Sequence, residues 1–514
     1  MMRPHGDRFR LPTASWTIVT VLAVLVLASG RMSSREGLGY FEASGDIGNP
    51  AISGSIAYDA QAQTYTMAGS GTNMWATRDE FQFAWRKLKG DFIVRTHVKF
   101  VGQGVEPHRK AGWIVRSSLD ADATYADAAV HGNGLTSLQY RATKGGPTFQ
   151  LPSAVVAPDV IQLERKGKMF VMSSARYGEP FTRTELTELD LGDEVYVGLF
   201  VCSHNPKVSE QAIFSNVRVV VPPPAGWRPY RDYIGSNLEV MRVDSPDRKV
   251  LYTTPGSIQA PNWTRDGKSL IYNGSGRLYR FDLATNTPTV IDTGEATANN
   301  NDHVLSFDGA MLGISHRPSE SENSVVYTVP TTGGTPKRIT KNAPSYFHSW
   351  SPDAKWLFFT GGRNGELDVY KIPAEGGDEI RLTDAKGVDD GPESTPDGRW
   401  IFFNSSRTGR MQIWKMRPDG TEQQQITGDE FNNWFPHIAP DGKSMVLLSF
   451  LADIDPADHP FYRQVYIRHM DLEGTGARVL AYVFGGQGTI NVPSWSPDSK
   501  SIAFVSNSGL TAPH

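Results

Sequence analysis

Three histidines and four carboxylates stand at comparable offsets ahead of one recurring phrase, and side chains of these types can hold a metal or move a proton. They are His303, His348 and His437 with Asp302, Asp389, Asp390 and Glu393, each four to eight residues before an aspartate that recurs through the C-terminal half. Imidazoles and carboxylates from separate segments suit a divalent metal such as manganese, zinc or calcium, which would polarise a uronate or activate water; the imidazoles are those of His303, His348 and His437. Alternatively, Glu393 and the same histidines are candidates for general acid–base work on a sugar. In that reading Tyr346 and Trp434 stack on its ring faces, and Asn301, Asp302, Asp389, Asp390, Asn433 and Asn491 contact it. The competing interpretation is a wet channel wall whose polar groups bond water and one another.

Such residues meet only if the elements that carry them converge. The recurring phrase reads Trp263-Thr-Arg-Asp-Gly267, Leu305-Ser-Phe-Asp-Gly309, Trp350-Ser-Pro-Asp-Ala354, Ser394-Thr-Pro-Asp-Gly398, Ile438-Ala-Pro-Asp-Gly442 and Trp495-Ser-Pro-Asp-Ser499. Its aspartates fall 42, 45, 44, 44 and 57 residues apart, close to the roughly 40–45 of a four-stranded propeller blade. Pro-Asp-Gly makes a tight turn, because proline presets φ, aspartate bonds the local backbone and glycine tolerates positive φ. An apolar strand follows each turn, as in Trp356-Leu-Phe-Phe359, then an alternating strand such as Asp368-Val-Tyr-Lys-Ile372, then an outer strand ending in Arg381-Leu-Thr383. The last repeat supplies only two strands. The alternating segments 237–243 and 249–253 are expected to complete its blade and close the ring, since an open sheet edge invites aggregation.

These phrases resemble the repeats of TolB-type β-propellers, over about residues 228–510. The resemblance implies a six-bladed ring and says little about activity, because such propellers serve a protein-binding periplasmic member, polysaccharide lyases and peptidase-associated domains. The peptidase option lacks its nucleophile, as no G-x-S-x-G elbow occurs.

Residues 39–222 carry no such repeat and read as short alternating strands, which predicts an antiparallel, jelly-roll-like β-sandwich. Phe81-Gln-Phe-Ala-Trp85, Ala111-Gly-Trp-Ile-Val-Arg116, Val197-Gly-Leu-Phe-Val-Cys-Ser-His204 and Phe214-Ser-Asn-Val-Arg-Val219 resemble concanavalin A-like domains, which implies glycan contact through exposed aromatics and amides; a spacer sandwich is the alternative. The Pro-rich stretch 222–227 opens a linker over 223–236, with the propeller at 237–508.

The expected fold class is therefore all-β, an antiparallel sandwich followed by a six-bladed propeller. Residues 1–30 combine a basic head, the apolar run 18–28 and small residues Ala28 and Gly30, the pattern of a cleaved export signal too short to cross a bilayer comfortably. A periplasmic or secreted protein with no membrane span after cleavage follows. Net charge is −4 without a Lys/Arg run, which excludes a nucleic-acid partner. The lone Cys202 rules out an internal disulfide. Two functions stay open: capture of a poly- or oligosaccharide, extended to cleavage if the chain is a metal-assisted lyase or a glycoside hydrolase; and a non-catalytic scaffold for a periplasmic protein.

Overall fold

The computed structural model describes residues 37–228 and 231–513. The expected export signal lies outside the described residues.

The N-terminal half folds as two seven-stranded antiparallel sheets. One runs, edge to edge, Ala43–Ile47, Phe81–Lys89, Glu194–Cys202, Lys110–Arg116, Tyr125–His131, Thr136–Arg141 and Thr148–Pro152; the other runs Thr182–Leu186, Met169–Ala175, Val160–Lys166, Phe92–Val101, Asn205–Val220, Thr64–Gly71 and Ser55–Asp59. Alternation dictates the facing. Val195, Val197, Leu199 and Val201 join Trp113, Phe92 and Phe214 in the main core, while Phe200 and Cys202 point to the opposite face. That face is covered too, by a second cluster with Phe81, Phe83 and Tyr125. It also holds a buried ion triad in which Arg116 and Arg141 each lie 2.7 Å from an Asp79 oxygen. A sheet buried on both sides explains why its central strands read as continuous apolar runs.

The C-terminal half is a ring of six radial sheets. Five are four-stranded, with innermost strands Gln259–Trp263, Asn299–Leu305, Ser345–Trp350, Asp389–Ser394 and Asn432–Ile438. The sixth pairs Ser501–Asn507 with Ser236–Arg242 and that with Arg248–Thr254, so strands from both ends of the domain close the circle. Its innermost segment is irregular, held to the blade by the Trp495–Ile502 bridge.

The recurring aspartate works as the turn chemistry demands. In five repeats a Ser or Thr hydroxyl two residues earlier (Thr264, Ser306, Ser351, Thr395, Ser496) donates to its Oδ1 at 2.6 Å. The same oxygen accepts the backbone N–H two residues later at 3.0–3.2 Å, for example from Lys268 and Lys355. The residue after each aspartate is left-handed, including the non-glycines Ala354 and Ser499. The Trp350 and Trp495 indoles donate to the carbonyls of Val304 and His437 in the preceding blades, so two of the repeat tryptophans staple neighbouring blades.

The two halves are packed together. Glu239, wholly buried, accepts from Arg218 of the sandwich and Arg248 of the propeller, each at 2.6 Å. Gln162 meets Gln464 at 2.7 Å, and Gln63 pairs twice with the Val250 backbone at 2.8 and 3.0 Å.

Candidate functional site

A cavity of about 680 Å³ opens at one mouth of the propeller channel. Its wall is explained by a defect repeated in every regular innermost strand. Between the start of each strand and the Pro-Asp turn the pairing register slips: between Gln259 and Asn262, Asn299 and His303, Phe347 and Ser349, Asp390 and Glu393, and Trp434 and His437. Such a bulge re-aims the side chains on either side of it. Ala260, Gly391 and Phe435 take its left-handed position in their blades, with φ of 54°, 62° and 54°. The chamber side chains come from the start of these strands or from the slip itself, such as Gln259, Asn301, Tyr346, His348, Asp390 and Phe435, whereas His303, Ser349, Glu393 and His437 just after it face elsewhere. The position seven residues before the repeat aspartate lines the chamber in five blades, as Gln259, Asn301, Tyr346, Asp390 and Asn491.

Of the residues singled out in the sequence, Asn301, Asp302, Tyr346, His348, Asp390 and Asn491 therefore line one chamber. The others do not. His303 is completely buried, its Nε2 3.2 Å from the Ile271 carbonyl. His437 places Nδ1 2.7 Å from Glu393 and Nε2 against the Ile490 carbonyl, so this pair is satisfied within the wall. Glu393 borders a separate crevice of about 40 Å³ near the Pro-Asp turns, beside Asn262 and Ser349. Asp389 is buried against Arg407 at 2.8 Å. Asn433 is consumed by Asp429, Gln412, Thr427 and Ser449. Trp434 is 1% exposed and supports the wall from behind.

The expected three-histidine metal set is thus not assembled, because the bulges send His303 and His437 away from His348. Among the described residues no group of three or more His, Cys, Asp or Glu side chains is arranged to hold a metal. These donors do not fit the manganese, zinc or calcium centre that the sequence suggested.

What the chamber does contain is charge, amide and ring. His348 Nε2 lies 3.1 Å from Asp390 Oδ1, which also accepts from Thr360 Oγ1 at 2.6 Å and the Gly391 N–H at 2.7 Å. Burial alone would raise the Asp390 carboxyl, but the hydrogen bond and charge of His348 override it and hold it far below the usual range. Burial likewise disfavours the His348 cation, yet Asp390, Asp302 and Glu393 together push its pKa up. Burial, with Asp390 adding repulsion and His348 opposing, pushes Asp302 up to about 6. One wall is a ladder of rings: His348 stacks on Phe435 at 6.3 Å, Phe435 meets Trp434 at 5.6 Å, and Trp434 stacks on His459 at 4.4 Å.

Sequence reasoning missed Tyr233, Asn299, Phe435, His459, Phe461 and Gln487, all of which line the cavity. A signal existed for two of them. The last spacing is 57 residues where the others are 42–45. The excess includes the 451–460 segment, which carries His459 over the mouth, and longer outer strands, Phe461–Asp471 and Arg478–Gly486, that reach the sandwich.

Comparison with known proteins agrees with this architecture. Residues 343–512 match the family model of the TolB beta propeller domain. An uncharacterized protein of Agrobacterium fabrum is 46% identical over 271 residues, which is 52% of this chain and 92% of that protein. A solved TolB-type structure from Agrobacterium tumefaciens is 45% identical and covers 54% of this chain and 99% of its own, with a TM-score of 0.52. The Tol-Pal system protein TolB of Francisella tularensis is 27% identical over 143 residues, 27% of this chain and 30% of its own length.

Proposed function

Because the C-terminal half of this chain belongs to the TolB β-propeller family, we propose that it is a non-catalytic binding protein of the periplasm that receives a hydrophilic segment of a partner protein in the propeller chamber. One observation carries the reading. Among the described residues, four buried polar side-chain atoms that lack protein partners belong to residues lining this one cavity: Asn299 Oδ1, Asn301 Nδ2, His459 Nδ1 and Gln487 Oε1. Buried polar groups are costly to leave unpaired, so four of them around one opening mark a surface that a polar ligand would complete. Flanking rings such as Tyr346 and Phe435 supply apolar contact between the amides.

The packed sandwich extends the molecule beside the fifth and sixth blades, and its concanavalin A-like character belongs to this proposal as a second docking module. Capture of a glycan is the second reading, favoured by the same alternation of rings and carboxamides. Metal-assisted lyase or hydrolase chemistry is not part of the proposal, since His303, Glu393 and His437 lie off the chamber.

Peptide and glycan arrays probed with the full chain and with Tyr346→Ala test it. Saturable binding of polar peptides that Tyr346→Ala weakens by about tenfold or more is expected. Binding that ignores Tyr346→Ala contradicts the chamber as the site, and oligosaccharides bound in place of peptides move the assignment to the glycan reading.

A further inference from the structure

Buried acids in this protein are generally matched to cations: Asp79 to Arg116 and Arg141 at 2.7 Å each, Glu210 to Arg109 at 2.6 Å, Glu239 to Arg218 and Arg248 at 2.6 Å each, and Asp389 to Arg407 at 2.8 Å. Asp127, wholly buried in the N-terminal half, and Asp302 have no such salt bridge, and of the two Asp302 borders the chamber. It is 5% exposed, it lines the chamber, and its carboxylate accepts a hydrogen bond from Asn300 Nδ2 at 2.6 Å. Among the described residues no Lys or Arg forms a salt bridge with it. The nearby His348 is already engaged by Asp390. The chamber lining thus holds the carboxylates Asp302 and Asp390 and the imidazoles His348 and His459, with Arg317 and Glu322 exposed at its edge, and Asp302 is the buried carboxylate there without a salt bridge. A buried carboxylate in that condition gains most from a cation brought by a ligand.

A second, independent feature lies on the same strand. Asn299 and Asn301 both line the cavity and are at least nine-tenths buried, and the Oδ1 of the first and the Nδ2 of the second have no protein partner. One is an acceptor and the other a donor, and a peptide group offers one of each in return. The Tyr346 ring in the same wall offers a π face of the kind that attracts ammonium.

We propose that Asp302 anchors an ammonium group and that the chamber takes the cationic portion of a polypeptide, either a chain N-terminus or a lysine side chain. Asn299 and Asn301 hold the adjoining peptide group. This rests on the chamber being the ligand site. It adds the chemistry of the occupant.

The test is retention of random-sequence hexapeptides by the full chain at pH 7.5, with free-amine and fully N-acetylated pools mixed equally and retained peptides counted by mass spectrometry. Chitosan oligomers, which carry amines on a sugar, run in parallel. Free-amine peptides are expected to be enriched over acetylated ones by roughly tenfold or more, and Asp302→Asn, checked to melt cooperatively and no earlier than the unaltered chain, to abolish that preference. The acetylation arm needs no variant, so a misfolded Asp302→Asn leaves the test intact. Equal retention of both pools, each lost in Tyr346→Ala, overturns the amine anchor and leaves the chamber as the site. No peptide retention, or retention indifferent to Tyr346→Ala, overturns both. Retention of chitosan oligomers without peptides overturns the polypeptide assignment.

Discussion

Asp302 is held in a state that the fold alone disfavours. Burial and the neighbouring Asp390 raise its carboxyl to about 6, with His348 opposing them; His459 faces the same space, with Arg317 and Glu322 also lining the cavity. The sign follows from linkage. A carboxyl whose folded pKa lies above its unfolded value is a burden wherever it is ionised, so the burden is full above about pH 6 and disappears as pH falls toward 4. Asp302→Asn is therefore expected to raise thermal stability at pH 7.5 by on the order of 1 kcal/mol and to change little near pH 4. Calorimetric melts at both pH values check this, and equal effects at the two would contradict it. Affinity for an ammonium ligand has the opposite trend, weakening as pH drops through about 6 and Asp302 is neutralised.

At the scale of elements, the bulged inner strand is the device that builds the site. Gly391 shows its tolerance most sharply. Its φ of 62° is left-handed, and a Cβ there would sit 2.7 Å from Asn404 Oδ1 and 3.2 Å from the Phe435 ring. Asn404 Oδ1 also accepts from the Phe435 N–H at 3.1 Å, so the intrusion would disturb two blades. Gly391→Ala is expected to cost about 1–3 kcal/mol and to weaken chamber binding, read by thermal melts and peptide retention together. The bulge also explains what the sequence could and could not reveal. The aspartate repeat, its turn chemistry and the strands after it are local signals, and they specify the blades and their number. Which side chains face the axis is not local, because one slipped residue reverses the facing of everything beyond it. Tyr346 and Asp390 before the slip, Asn301 within it and Asn491 on the irregular sixth blade were legible as a converging set. His303, Glu393 and His437, after it, were not. His459 and Tyr233 arrive from loops whose path no periodicity encodes.

At the scale of the whole molecule, the ring is closed by pairing Ser236–Arg242 with Ser501–Asn507, and the sandwich locks onto that same closing blade. Glu239 sits on the closing strand and ties it to both halves. Burial would raise its carboxyl, but Arg218 and Arg248 force it far below the usual range. Its stabilisation is fully present above its unfolded value of about 4.5 and is lost only in strong acid. Glu239→Ala leaves two buried guanidiniums without their anion, and a loss of about 3–5 kcal/mol is expected, with earlier proteolysis between the halves. An unchanged melting temperature would mean that the closure is held elsewhere.

The central claim is that residues at and ahead of the bulges form the ligand site, and hydrogen–deuterium exchange of the full chain with and without a retained free-amine peptide addresses it most directly. Protection is predicted at the starts of strands Asn299–Leu305, Ser345–Trp350 and Asp389–Ser394 and in the 451–460 loop. Protection confined to the sandwich sheets, or to the Pro-Asp turns at the opposite mouth, would contradict it.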